Sequence, residues 1–334
     1  MSEPILRVRG LTTTFGDGAL HAVRDVSFDV MPGEVLGLVG ESGSGKSVTL
    51  RSLLRLLPAG GRVAGSVCWH GRDVLAMNEA ELRGVRGGEI SMIFQEPMTA
   101  LNPVLPIRVQ IEENLRAHTK LDGRGRRARA RELMDLVGIP DAARRLDEFP
   151  HQFSGGMRQR AMIAIALASD PKLLLADEPT TALDVTIQDQ ILKLILELRD
   201  ELAMSVVFVT HDLGVVSATC DRMAVMYAGR IVEEGAVADV FACPRHAYTH
   251  GLLGSVPQAG AERSMLLSIE GTPPGLARIP EGCAFNPRCD FATDICRRTR
   301  PRLAEMSPGH HAACHNAGAV AAAGSPVRRA MRDG

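Results

Sequence analysis

The run Gly40-Glu41-Ser42-Gly43-Ser44-Gly45-Lys46-Ser47 constrains this chain more than any other segment. It fits the pattern G-x-x-x-x-G-K-[ST] and lies where that pattern has meaning. An apolar run, Glu-Val-Leu-Gly-Leu-Val over 34–39, reads as a buried strand before it, and 47–57 reads as a helix after it. Glycines let successive backbone N–H groups turn inward at a helix start, which makes an anion cradle. Lys46 supplies a cation for phosphate oxygens, and Ser47 a hydroxyl for a hard divalent ion.

A phosphate loop of this kind needs a carboxylate on a neighbouring strand. The apolar run Leu173-Leu174-Leu175-Ala176 ends in Asp177-Glu178. Two acids at the end of a buried strand call for a cation or a proton-transfer role, because buried charge is costly. Asp177 suits Mg²⁺, and Glu178 suits polarising an attacking water. His211 follows the next apolar strand, 205–210, at the sheet edge where such folds bind ligands. Further on, Ser154-Gly155-Gly156 opens a predicted helix over 155–168, giving a second set of N–H donors aimed at an anion.

The remaining patterns set the fold class. Residues 5–9 and 21–30 read as short strands, and Val26-Ser27-Phe28-Asp29-Val30 alternates as a half-solvated antiparallel sheet does. Residues 63–70 continue that sheet. Helices are expected over 124–137 and 187–202, strands over 172–176 and 205–210, and a hairpin over 223–234 turning at Ala228-Gly229. The β–α–β order implies a parallel sheet. The expected architecture is α/β: a P-loop core with an antiparallel β subdomain, a helical insertion over 96–169 and a Cys-rich C-terminal extension. Aromatics are only 4% of the chain, which suits aliphatic helices on a sheet rather than a β-sandwich.

Charge and hydropathy exclude some classes. Lys+Arg is 38 and Asp+Glu 39, so the net charge is -1, against bulk binding to nucleic acid. Apolar stretches such as 161–168 run about eight residues, where a membrane span needs ~20. Residues 1–9 hold Glu3 and Pro4 and do not read as a secretory leader. A cytoplasmic setting is expected, with any membrane contact made through a partner. The arginines at 124, 126, 127, 129 and 131 read as a solvated helix face.

Four of seven cysteines crowd one segment: Cys283, Cys289, Cys296 and Cys314. In a reducing compartment this suggests metal rather than disulfides. Four thiolates satisfy tetrahedral Zn²⁺ or a [4Fe–4S] cluster. The spacings of 5, 6 and 17 intervening residues lack paired C-x₂-C knuckles, and His310, His311 and His315 keep a mixed zinc site open. Arg297, Arg298, Arg300 and Arg302 could offset thiolate charge.

Taken in order, Gly40–Ser47, Gln95 after Ile-Ser-Met-Ile-Phe, Phe153-Ser154-Gly155-Gly156-Met157-Arg158-Gln159-Arg160, Asp177-Glu178-Pro179, Ala182-Leu183-Asp184 and His211 resemble the motif set of ATP-binding-cassette ATPases. The resemblance spans about residues 5–256. It implies a head-to-tail cassette dimer. In that dimer Ser154, Gly155, Gly156 and Asp184 of one chain face ATP on the P-loop of the other. It further implies phosphate contacts from Gly40, Ser42, Gly43, Ser44, Gly45, Lys46, Ser47 and Val48. Phe15 would stack on adenine. Mg²⁺ would be held by Ser47, Gln95 and Asp177, and Glu178, His211 and Gln95 would act in hydrolysis. Met157 stands where the family usually has Gln, which removes a polar contact there.

The segment from Cys243 to His250, then Gly251-Leu-Leu-Gly-Ser-Val-Pro257, then Gly282-Cys-Ala-Phe-Asn-Pro-Arg-Cys289, resembles the extension of oligopeptide/dipeptide importer ATPases, shared by nickel importers of that branch. Members of the branch carry a [4Fe–4S] cluster at four such cysteines, which favours iron–sulfur over zinc. The implied division is a cassette over 1–255, an extension over 256–316 and a disordered tail over 317–334. The implied partners are a second, related but non-identical ATPase chain, two transmembrane permease subunits and an extracytoplasmic solute-binding protein. The implied place is peripheral, on the cytoplasmic face of the inner membrane. A soluble cassette ATPase without a transport role is the alternative from another class. Arg245 and Tyr248 read as packing.

Overall fold

Alternation of apolar and polar side chains builds the first sheet, because the strand period of two sends Val26, Phe28 and Val30 to the core while Ser27 and Asp29 stay half-exposed. The computed structural model describes residues 3–95, 100–181, 183–255 and 269–327. Its strands are β1 (Leu6–Phe15), β2 (Leu20–Val30), β3 (Val35–Val39), β4 (Arg62–Trp69), β5 (Arg72–Asp73), β6 (Ile90–Ile93), β7 (Leu173–Asp177), β8 (Ser205–Thr210), β9 (Arg222–Tyr227), β10 (Arg230–Ala236), β11 (Ala304–Ser307) and β12 (His310–Ala312). The chain divides into two units, one of Met1–Val30, Glu34–Leu75 and Val209–Gly334, the other of Met31–Gly33 and Ala76–Phe208.

The first unit holds the antiparallel sheet β2-β1-β4-β5, with Leu6 opposite Val30 on one side and Trp69 on the other. It also holds β3, whose five residues are all buried and which runs parallel to β9, Val39 opposite Val225. β9 and β10 form the expected hairpin. Ala228 (φ 46°) and Gly229 (φ 79°) take the left-handed conformations a tight two-residue turn demands.

Residues on both sides of 255 belong to this one unit. β12 pairs with β10, Glu233 opposite Ala312, and β11 pairs with β12. One apolar cluster contains Val39, Tyr227 and Tyr248 together with Phe285 and Val320. Residues 285–320 therefore continue a sheet and a core that begin before residue 255. The expected disordered tail is corrected for 317–327: Ala317–Ala323 is a helix, Val320 is fully buried, and Ser325 Oγ donates to Phe241 O at 2.6 Å. Burial of a few small apolar side chains suffices to dock an Ala-rich segment that composition alone reads as loose. Residues 328–334 lie outside the described residues.

In the second unit β6 runs parallel to β7, Ile90 opposite Leu173. Its helices include Ile107–His118, Gly123–Leu136, Gly155–Ala166 and Val185–Leu202. The expected insertion begins at residue 96, which lies outside the described residues. The arginine-rich helix exposes Arg124, Arg127 and Arg131 as expected, and it also carries surface ion pairs: Arg127 reaches Asp147 at 2.7 Å and Arg129 reaches Asp170 at 2.9 Å. No helix among the described residues is long and apolar enough to cross a membrane.

Candidate active site

In the first unit the P-loop leaves β3 and enters the helix Lys46–Leu53. That helix stops earlier than its sequence suggests, and Arg55 adopts φ 54° just beyond it. Two glycines are obligatory here. A Cβ on Gly40 (φ 151°) would lie 2.3 Å from Met226 O, and one on Gly45 (φ 104°) 2.7 Å from Ala22 O. Only a bare backbone wraps this tightly. Lys46 is 5% exposed, and its Nζ donates to Gly40 O at 2.6 Å and Glu41 O at 3.0 Å. The ammonium is thereby folded back into the loop it serves. Ser44 is buried with its Oγ unbonded, Ser42 and Gly43 are exposed, and Ser47 and Val48 are half-buried. Phe15 ends β1 half-buried, and a Cβ on Gly61 would meet its ring at 3.0 Å. His211 is exposed directly after β8, ahead of a helix capped by Asp212, whose Oδ1 accepts from Gly214 N at 2.8 Å.

In the second unit Asp177 is fully buried at the end of the apolar strand β7. Glu178 follows at φ 47°, a left-handed conformation that costs a non-glycine residue free energy and marks functional sites. Its Oε2 accepts from Gln95 Nε2 at 3.2 Å and from Thr181 Oγ1 at 2.8 Å. Two residues singled out separately in the sequence, Gln95 and Glu178, thus touch across a separation of 83 positions.

Ser154 caps the helix Gly155–Ala166, its Oγ accepting from Met157 N. Ser154 and Gly155 are exposed, so this helix start faces outward. Gly156 has no room for a side chain, because a Cβ would come within 2.9 Å of Ile187 Cγ2. Asp184 caps the helix that carries Ile187, accepting from Ile187 N at 2.9 Å, and Val185 beside it is 83% exposed. Ala182 lies outside the described residues.

The four clustered cysteines come together in the first unit. Cys289 feels charge on Cys283, Cys296 and Cys314, Cys283 feels Cys296 and Cys314, and Cys314 feels Cys296. Burial pushes Cys283 and Cys314 up, and Cys289 up to about 12. Backbone N–H groups oppose this: Phe285 and Asn286 donate to Cys283, Phe291 to Cys289, and Asn316 and Ala247 to Cys314. Even so, among the described residues no group of three or more His, Cys, Asp or Glu side chains is placed to hold a metal ion. The iron–sulfur and zinc expectations therefore find no closed donor set in this geometry.

Sequence reasoning missed what joins the extension to the P-loop. Arg288 grips the Glu41 carboxylate, and Glu41 N donates to Tyr248 Oη at 2.7 Å. Tyr248, read as packing, is fully buried and also orients the loop. The buried Glu233 accepts from Arg245 N at 2.6 Å and His246 N at 2.9 Å, and its Oε1 lies 2.7 Å from His310 Nε2. The signal available was compositional: the chain has two tyrosines, and both are in this core.

A glycine-wrapped lysine loop between a buried strand and a helix defines a P-loop ATPase, and the Ser-Gly-Gly helix start adds the mark of a cassette. Comparison with known proteins agrees. Residues 23–181 match the family model described as ABC transporter, and residues 232–296 match that of the oligopeptide/dipeptide transporter C-terminal region. A peptide import ATP-binding protein of Brucella abortus (strain 2308) is 52% identical over 316 residues, covering 94% of this chain and 95% of the relative. A peptide ABC transporter ATP-binding protein of Sinorhizobium fredii is 51% identical over 318 residues, covering 94% and 95%. A dimeric ATP-binding cassette bound to ADP and Pi superposes with a TM-score of 0.62 at 30% identity, covering 70% of this chain and 98% of that one. A cassette of Clostridium perfringens, part of an ABC transporter complex, gives 0.62 at 28% identity, covering 72% and 91%. The chain belongs to the ABC transporter ATPases, in their oligopeptide/dipeptide branch.

Proposed function

We propose that this chain is the ATP-hydrolysing subunit of a peptide importer. The observation that carries the reading is one chain holding both the cassette motifs and the branch's C-terminal region, at 52% identity to a peptide import ATP-binding protein. The functional division is a cassette to about residue 255 and an extension beyond it.

The P-loop backbone of Gly40–Ser47, with Val48, cradles the phosphates, and Lys46 turns from Gly40 O and Glu41 O to the transferred phosphoryl group. Phe15 stacks on adenine. When bound, Mg²⁺ would supply charge neutralisation, and Ser47, Gln95 and Asp177 would hold it; a buried carboxylate at a strand end such as Asp177 fits a hard cation. Glu178 accepts the proton of the attacking water. Its hydrogen bonds to Gln95 and Thr181 orient the carboxylate before substrate arrives. His211 contacts the terminal phosphate.

Ser154, Gly155, Gly156 and Asp184 act in trans, on nucleotide held by a second, non-identical cassette. The outward-facing helix start and the exposed Val185 beside Asp184 support this. Two permease subunits and an extracytoplasmic binding protein complete the importer, which places this chain on the cytoplasmic face of the membrane.

Cys283, Cys289, Cys296 and Cys314 form the fourth part of the reading, a [4Fe–4S] site. Its support is the mutual approach of four thiols and the backbone N–H donors aimed at three of the sulfurs.

Reconstitution with the permease subunits and binding protein in liposomes tests the transport reading. ATP hydrolysis that rises with a peptide-loaded binding protein, together with peptide uptake, is expected. Uptake of nickel or another solute without peptide, or stable association with ribosomes in place of permeases, overturns it.

A further inference from the structure

A cavity of about 580 Å³ in the first unit is separate from the phosphate loop, since no residue of 40–47 lines it. Its wall carries four guanidiniums, Arg24, Arg230, Arg300 and Arg302, against two carboxylates, Asp25 and Glu281. Among the described residues, one acid–base pair closes between these groups: Arg230 reaches Asp25 at 3.4 Å, and that carboxylate is 66% exposed. Among the described residues the side chains of Arg24, Arg300 and Arg302 make no hydrogen bond or ion pair, and Arg230 Nε is buried and unbonded.

Like charges gather around this space. Arg24 and Arg230 are held below the ordinary guanidinium range, first by desolvation and then by the charge of Arg300. A cationic surplus of this kind, partly withdrawn from water, attracts an anion. Apolar and aromatic side chains line the same cavity. Tyr227 and Phe285 both line the cavity and meet edge to face at 5.3 Å. The volume lies within the range of small-molecule sites, roughly 300–1,000 Å³. Guanidinium forks match phosphate oxygens two at a time.

We propose that this cavity binds a small organic phosphomonoester, its phosphate on Arg24, Arg230 and Arg300 and its carbon body against Tyr227 and Phe285. The site is independent of nucleotide at the P-loop and of the transport reading.

Phenyl phosphate is the probe, titrated calorimetrically into the full chain and into Lys46→Ala, Arg24→Gln and Arg300→Gln. The expected result is one saturable site per chain. Lys46→Ala leaves its affinity within about twofold, and either arginine variant weakens it about tenfold or more. Arg300 is exposed, so its variant keeps the fold, and Arg300→Lys recovers only part of the loss because it lacks the fork. Absence of saturable binding overturns the proposal. So does loss of binding in Lys46→Ala, which places the phosphate in the nucleotide site, and so does equal affinity in all four proteins.

Discussion

Arg288 holds Glu41 in a two-pronged ion pair, Nη1 to Oε2 at 2.8 Å and Nη2 to Oε1 at 3.0 Å. One residue precedes Cys289 in the extension; the other is second in the P-loop. The guanidinium is 5% exposed and also reaches Tyr227 Oη, Glu270 O and Ile269 O. The pair pushes Arg288 above its ordinary range. A cysteine-bearing loop 247 positions away thus braces the backbone of the glycine-rich loop.

Arg288→Gln removes that brace. We expect a stability loss of about 2 kcal/mol, less than for a fully buried pair because Glu41 is 28% exposed. Nucleotide affinity falls several-fold with it. Thermal unfolding and titration with a fluorescent ATP analogue measure the two. Unchanged nucleotide affinity would show that the pair is mere packing.

Glu178→Gln keeps shape and removes the carboxylate proposed as the base. ATP binding should persist while turnover in the assembled complex drops about 100- to 1,000-fold. Steady-state hydrolysis beside equilibrium binding separates the effects, and wild-type turnover removes Glu178 from the chemistry.

Anaerobically purified protein should carry about four iron and four sulfide per chain, the content of one cubane on four thiolates. Metal analysis with acid-labile sulfide decides this. One equivalent of zinc without sulfide rejects the cluster.

His246 is 1% exposed, and burial holds its imidazole down, to about 4. Its Nδ1 accepts from Tyr248 N at 3.1 Å, a bond that needs the neutral ring. Because the folded pKa lies below the unfolded one, the unfolded chain binds more protons at acid pH. The contribution is full above about pH 6.5 and declines as pH falls toward about 4, by up to about 3 kcal/mol. Denaturant midpoints across that window should fall with pH in the wild type. His246→Asn should flatten that slope; an unchanged slope would assign the acid sensitivity to other groups.

Local periodicity read much of this chain well. β8 spans the expected 205–210, and the long helix and the β9–β10 hairpin fall within two residues of expectation. The P-loop and the Ser-Gly-Gly helix start were equally legible, because their chemistry depends on consecutive residues. Ala317–Ala323 was not, since an Ala/Gly-rich segment has no apolar period and takes its helix from docking. The pairing of β12 with β10 left no trace either, because three residues carry no pattern.

By itself the sequence determined that this protein grips phosphate, for a glycine-rich turn with its lysine works only in that order. Its motif order also determined the cassette. Only the tertiary structure decided that the cysteine-rich extension shares the cassette's core, that Tyr248 and Arg288 hold Glu41, and that four arginines share one cavity. Those arrangements are made by side chains far apart in the chain. Burial and charge select them only after the backbone has folded, so no spacing in the sequence could announce them.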